Sequence, residues 1–243
     1  MAARLHHRPY GDAGLLAGVL AEDYESRWST TQALSAAVRG AHPSWLVDLV
    51  ATYDHLFVTF DPGLCDHAGV QALLEQLNDA LDPGSVAALG ASAGHTFEVP
   101  VLFGGEAGPD LDAVATELDL TAAALVDRLT AAPWRVRFVA SPVGTPFTDT
   151  PTWDAAVARM QVPRVAVPAG SIGLSGRQSI IYPVSSPGGW RLVGRTPLRV
   201  LDPTGDPDRL VAYRAGDRLQ LVPIDGARFA ELETRGDRLG LEQ

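Results

Sequence analysis

Between Val162 and Pro197 the chain reads VPRVAVPAGSIGLSGRQSIIYPVSSPGGWRLVGRTP, with glycines and prolines punctuating short apolar runs. Runs this short, bounded by turn residues, form strands rather than helices. Gly170, Gly173, Gly176, Gly188, Gly189 and Gly194 permit positive φ or close backbone approach, while Pro168, Pro183 and Pro187 fix φ and withhold amide donors. The region is therefore committed to several strands joined by tight turns. A polar set is carried on that frame: Ser171, Ser175, Arg177, Gln178, Tyr182, Ser185, Ser186, Arg195 and Thr196.

The remaining periodicities divide the chain in two. Residues 8–20 read as a strand, Ser29 to Arg39 as a helix capped by Ser29 or Thr30, Leu46 to Ala51 and His55 to Phe60 as paired strands, and His67 to Leu81 as an amphipathic helix. The order β-α-β-β-α over residues 1–82 predicts a small α+β domain of ferredoxin-like type. Pro83 to Gly94, rich in Gly, Ala and Ser, reads as a linker. Thr96 to Phe103 and Trp134 to Ala140 read as strands, with helices over Asp110 to Leu118 and Thr121 to Thr130 between them. With the strand train that runs on to Pro223, residues 95–223 predict a mainly-β, closed or nearly closed barrel. Residues 224–243 read as a tail.

Composition excludes whole classes of function. The 243 residues carry a net charge of −10, against the basic surface that nucleic acid demands. There is no lysine, so all 19 cations are arginines, which excludes a Walker-type phosphate loop and Schiff-base chemistry. Anions must be held by arginine forks and backbone amides. One cysteine, Cys65, excludes a disulfide within the chain and a cysteine zinc cluster. No apolar run has the length of a membrane span, and no apolar core follows the Met1 to Pro9 start, so a cytoplasmic location is expected.

Nucleophilic sites fare no better. The six histidines, at 6, 7, 42, 55, 67 and 95, all precede the first strand of the predicted barrel, Thr96 to Phe103, so no Ser-His-Asp triad is expected inside it. Ser171-Ile172-Gly173 is not a nucleophile elbow, since no G-x-S-x-G pattern is present there, and no two histidines sit at zinc-protease spacing. In Gly104-Gly105-Glu106-Ala107-Gly108-Pro109-Asp110, Asp110 reads as the cap of the following helix. Trp190 reads as a plug for the barrel. Tyr182 reads as a packed ring whose hydroxyl reaches a partner. Arg195, between Gly194 and Thr196, is placed to make a bidentate contact with a carboxylate or phosphate, and Arg164 is a second cation of the same kind.

The 162–197 stretch resembles the signature of the family formed by KipI and the B subunit of 5-oxoprolinase, also called allophanate hydrolase subunit 1, almost without interruption. Further pieces fall in the family's order: Tyr10-Gly11-Asp12-Ala13-Gly14-Leu15-Leu16, the Tyr53 to Pro62 strand ending in Asp61-Pro62, and the run from Pro100 through Phe103-Gly104-Gly105 to Leu111. The resemblance spans residues 8 to 203. It implies a cyclophilin-like barrel and makes Glu106 a candidate groove carboxylate, taken with Arg195 as the catalytic pair. Arg164, Ser171, Gln178, Tyr182, Ser186, Gly188, Gly189, Trp190 and Thr196 are the candidate substrate- or nucleotide-binding residues, and no metal ligands are expected. The chain departs from the pattern where Leu129 replaces a histidine and where residues 140–149 replace a glycine- and aromatic-rich segment; Gly144, Pro146 and Phe147 survive there.

The resemblance implies the B subunit of an ATP-dependent 5-oxoprolinase, which opens 5-oxoproline to glutamate. Its partners would be a C subunit with a cyclophilin-like fold and an A subunit of LamB/YcsF type, with ATP bound jointly. Related pairs act as carboxyltransferase parts on urea or amide substrates, and one member inhibits a sensor histidine kinase. A small amide or lactam is thus the expected ligand, with neither nucleic acid nor membrane as a partner.

Overall fold

The computed structural model describes residues 3–91, 94–141, 143–203 and 210–240. They form two compact units, Met1–Ser92 and Ala93–Gln243.

In the first unit, strand β1 (Arg4–Tyr10) and strand β2 (Gly14–Leu20) form an antiparallel hairpin where the sequence suggests a single strand. Gly11 makes the difference: its φ of +62° turns the chain inside the apolar run. Helix α1 (Tyr24–Ala41) starts a turn and a half before Ser29, because Asp23 accepts the Ser26 amide at 2.8 Å and is the true cap. Ser29 consequently lies inside the helix, its hydroxyl donating to the Glu25 carbonyl. Strands β3 (Leu46–Ala51) and β4 (His55–Phe60) and helix α2 (His67–Asp79) complete an antiparallel sheet of order β1-β2-β4-β3. Leu15, Ala17, Leu49, Leu56, Val58 and Phe60 alternate along the strands to meet Leu34, Val38, Val70 and Leu74 of the helices. In a ferredoxin-like sheet the edge beside the first strand of the β-α-β-β-α series is filled by a strand after the second helix; here β1, which precedes the series, fills it.

The expected linker is mostly a helix, α3 (Pro83–Ala91), whose start is held by the Asp82 carboxylate accepting the Ser85 amide and hydroxyl at 2.7 and 2.8 Å. Its Gly, Ala and Ser content serves close packing on α1, where Gly90 lies against Ser29. Ser92 and Ala93 lie outside the described residues.

The second unit contains β5 (Thr96–Phe103), α4 (Leu111–Glu117), α5 (Ala122–Thr130), β6 (Trp134–Ala140), β7 (Thr145–Asp149), β8 (Arg164–Val167), β9 (Ser171–Ser175), β10 (Gln178–Ile181), β11 (Ser186–Gly188), β12 (Arg191–Arg195), β13 (Arg218–Pro223) and α6 (Gly226–Arg235). Seven strands close a barrel in the order β10-β7-β6-β13-β5-β12-β9, and β8 with β11 forms a separate ribbon. Alternate residues, among them Phe97, Val99, Val101, Trp134, Val136, Ile172, Leu174, Ile181, Val193, Leu219 and Leu221, share one core with Leu111, Val114, Leu125 and Leu129 of the helices. A single contiguous cluster drawn from six of the seven strands of a closed barrel occupies its interior.

The segment read as a tail belongs to this unit. Asp225 caps α6 by accepting the Arg228 amide at 2.8 Å, Phe229 and Leu232 are buried, and Leu239 joins the barrel core. Residues 204–209, just before β13, and 241–243 at the end of that segment lie outside the described residues.

Candidate functional site

A second, smaller cluster lies on the opposite face of the barrel wall: Val167, Ile180, Tyr182, Trp190 and Leu192, with Phe147 packed against it. Gly173 permits it. A Cβ there would sit 3.0 Å from the Trp190 Cβ and 3.2 Å from the Tyr182 ring, so both aromatics lie directly on the β9 backbone. Ile172 and Leu174, its neighbours on β9, point the other way into the barrel core. Trp190 therefore does not plug the barrel. It belongs to the outer cluster, its ring 5.7 Å from Phe147 and nearly perpendicular to it, and Phe147 in turn stacks on Phe138 at 4.7 Å.

Polar groups rim this cluster. The Arg159 guanidinium lies 5.4 Å from the Trp190 ring centroid, and its Nε donates to the Ser175 hydroxyl at 3.1 Å. The Tyr182 phenol oxygen accepts the Trp190 amide, and burial pushes its pKa above the ordinary value despite the fields of Arg159 and Arg164. Gly188 is where the Tyr182 hydroxyl end passes over the backbone, and any side chain there would collide with it. Gly188 pairs with Arg164 and Ser186 with Val167 across the β8–β11 ribbon, and the Gly189 carbonyl accepts the Met160 amide.

Asp110 is not the helix cap expected of it. It sits at the capping position with φ −101° and ψ 0°, and its carboxylate makes no bond to the helix. Instead one oxygen accepts the Leu192 amide at 2.7 Å and the other Arg164 Nη2 at 2.8 Å. The reason lies two residues earlier: Gly108 packs onto the Val193 carbonyl, which brings the loop onto β12 and turns the Asp110 side chain toward that strand.

The other predicted residues fall elsewhere. Ser171 and Thr196 are buried beside Gly170, whose amide donates to the Tyr182 carbonyl and whose carbonyl accepts the Thr196 amide. Arg195, cross-strand from Ser171, turns onto α6, with Nη2 2.8 Å from Glu233 Oε1, Nε 3.1 Å from the Ala169 carbonyl and its guanidinium 5.3 Å from the Phe229 ring centroid. Gln178 is half-buried at the hairpin tip opposite Ser175, and Glu106 is exposed in the turn after β5. The structure thus gathers Arg164, Tyr182, Gly188, Gly189 and Trp190 around one outer cluster, places Ser186 in the adjoining ribbon, and puts Arg195 and Glu106 outside it. Leu129 is fully buried, its carbonyl accepting the Trp134 indole at 2.9 Å. Pro142, in the divergent 140–149 segment, lies outside the described residues.

Sequence reasoning missed Arg159, Phe138 and the bridging role of Asp110. Arg159 lies in a stretch without strand or helix periodicity, and its partner Trp190 is 31 positions away, so no local signal pairs them. Among the described residues no group of three or more His, Cys, Asp or Glu side chains could hold a metal ion, and no helix is long and apolar enough to cross a membrane.

Comparison with known proteins agrees with this architecture. Residues 5–211 match the family described as "Carboxyltransferase domain, subdomain C and D". Over 127 residues the chain is 40% identical to the 5-oxoprolinase B subunit of Bacillus subtilis, covering 52% of each chain, and over 146 residues it is 37% identical to the 5-oxoprolinase B subunit of Escherichia coli O157:H7, covering 60% of this chain and 62% of that one. The match spans about half to three-fifths of these relatives' length. Among solved structures, urea carboxylase of Kluyveromyces lactis superposes on 98% of this chain and 24% of its own with a TM-score of 0.77 at 16% identity, a likeness of fold. With the matched span taking in most of the chain, up to but not including β13 and α6, the chain belongs to the carboxyltransferase subdomain C and D family that includes the 5-oxoprolinase B subunits.

Proposed function

We propose that the chain is the B subunit of an ATP-dependent 5-oxoprolinase-type complex that opens 5-oxoproline to glutamate. The observation that carries this reading is the 40% and 37% identity to two 5-oxoprolinase B subunits. The chemistry is compatible with it. Opening an unactivated lactam needs its amide oxygen activated by phosphorylation, and the developing negative charge calls for cationic and backbone donors, which in this lysine-free chain include its arginines.

The site does not fit a triphosphate by itself. Arg164, Arg191 and Arg195 are already paired with Asp110, Glu117 and Glu233. The nucleotide phosphates are therefore assigned to the partners, a cyclophilin-fold C subunit and a LamB/YcsF-type A subunit, with this chain contributing one wall of a composite site in the cytoplasm. In that complex Arg164, Tyr182, Gly188, Gly189 and Trp190 face the substrate side. Glu106 and Arg195, with Ser171, Gln178, Ser186 and Thr196, shape its margin.

Co-expression with candidate partner proteins, followed by measurement of 5-oxoproline-dependent phosphate release, tests the reading. The purified chain alone is expected to be inactive and the assembled complex active. A stable complex without 5-oxoproline-dependent ATPase activity would reject it, all the more if the chain instead inhibits a sensor histidine kinase.

A further inference from the structure

We infer that the free edge of strand β1 takes an extended acidic segment of a partner protein as an added strand. β1 and β3 are the two edges of the first unit's sheet, whereas every residue of the candidate site belongs to the second unit. In an antiparallel sheet the backbone groups of successive residues point to opposite sides of the strand. The Val19 amide donates to the Asp54 carbonyl at 2.8 Å, on the β4 side of β2, so Leu5, which faces Val19 across the hairpin, is not hydrogen-bonded to it. Leu5, His7 and Pro9 therefore turn their backbone groups away from β2. Asn78 of α2 already donates to the Ala3 carbonyl at 2.7 Å, and Pro9 has no amide to give, so the open stretch runs from Leu5 to Pro9.

The charge of this edge is opposite to that of the chain. Against a net charge of −10, the first acidic residue is Asp12, and β1 exposes Arg4, His6, Arg8 and Tyr10 in alternation along one face. Neither arginine is ion-paired among the described residues, and Arg8 lies over the Tyr10 ring at 6.0 Å from its centroid. The residues of β2 and β4 in register with these four include no carboxylate either.

Those two features select the occupant. A strand laid on the edge bonds the backbone of Leu5 and His7, and acidic residues at its alternate positions stand opposite Arg4 and Arg8 on one face of the sheet. A second copy of β1 centred on His6 would set Arg4 opposite Arg8, so the charge that attracts an acidic strand repels this one. The edge is also fixed beforehand: Leu5 packs on the core of the first unit and Asn78 holds the start of the strand, which lowers the entropy lost on pairing.

Fluorescence anisotropy of a labelled peptide of alternating Glu and Val, titrated with the full chain, tests this, with a Lys-Val peptide and a Glu-Val peptide interrupted by a central proline as controls. Saturable binding of the uninterrupted Glu-Val peptide alone is expected, weakened by added salt and about three-fold or more by Arg4→Gln with Arg8→Gln, the thermal midpoint staying unchanged. In amide hydrogen exchange the bound peptide should slow Leu5 and His7, which exchange freely without it, and leave His6 and Arg8, already paired with β2, as they were. No saturable binding, equal binding of either control peptide, equal affinity of the double variant, or binding that leaves Leu5 and His7 unprotected would overturn the inference. Protection of those two amides in the free chain, abolished on dilution, would overturn it too, because a second copy would then fill the edge.

Discussion

Asp110 and Arg164 are ion-paired at 2.8 Å, and the second Asp110 oxygen accepts the Leu192 amide at 2.7 Å, so one carboxylate ties the β5–α4 loop, the β8–β11 ribbon and barrel strand β12 together. The Asp110 side chain is 9% exposed and that of Arg164 24%. Removing the carboxylate leaves a buried amide without its acceptor and a half-buried guanidinium without its counter-charge. Asp110→Ala should therefore cost about 3 kcal/mol or more in urea unfolding, against about 1 kcal/mol for a lost helix cap. Asp110→Asn can still accept the Leu192 amide and should cost less. Equal, small losses for both would return Asp110 to the role of a simple cap.

The alkaline limb of stability should be set by buried phenols. Tyr213 is 3% exposed with its hydroxyl donating to the Gly144 carbonyl at 2.7 Å, and burial raises its pKa far above the ordinary value; burial raises that of Tyr182 as well. The folded chain then keeps protons that the unfolded chain releases near pH 10. This contribution is complete below about pH 10 and is lost as pH rises beyond it. Tyr213→Phe should lower stability by about 1 kcal/mol at neutral pH through the lost hydrogen bond, yet flatten the fall above about pH 10. Parallel alkaline limbs for the two proteins would show that Tyr213 does not govern them.

Arg195 and Phe229 should separate cleanly in mutagenesis. The Arg195–Glu233 bridge is solvent-facing, with side chains 34% and 49% exposed, and pairs of that kind contribute about 1 kcal/mol or less. Phe229 is 8% exposed and anchors α6 on the barrel. Arg195→Gln should move the thermal midpoint by a few degrees at most, while Phe229→Ala should cost about 3 kcal/mol or more. Truncation before α6 should then destabilise the barrel unit, since Leu239 of the same segment lies in its core. A truncated chain that melts like the full one would make the segment an appendage after all.

What could be read in advance followed the physics of local order. Strands Leu46–Ala51, His55–Phe60, Thr96–Phe103 and Trp134–Ala140 match the sequence expectation to the residue, because alternation with β-branched and aromatic side chains is a short-range signal. Thr121 caps α5 as expected, accepting the Ala124 amide. Errors arose where a residue's partner is distant. Pro83–Ala91 looks like a linker until α1 supplies the surface that small residues pack against, and 226–235 has a clear capping aspartate but no visible reason to dock. At the candidate site the turn glycines were legible as a set. Which face of the barrel they open was not, since a strand shows its alternation but not which side is inside.

Gly108 makes the sharpest test of how that loop is placed. A Cβ on Gly108 would run into the Val193 carbonyl and lie 2.7 Å from the Gly194 amide nitrogen, and both obstacles are barrel backbone that cannot rotate aside. Relief would require the β5–α4 loop to lift from β12, breaking the Asp110 to Leu192 hydrogen bonds through both the backbone and the side chain. Gly108→Ala should therefore destabilise the chain by about 2 kcal/mol or more, although a glycine-to-alanine change in a compatible loop ordinarily stabilises by up to about 1 kcal/mol. Combining Gly108→Ala with Asp110→Ala should cost less than the two single losses added, because both act by detaching one loop from one strand. Strict additivity in that double-mutant cycle would mean that the glycine contact and the carboxylate bridge are independent.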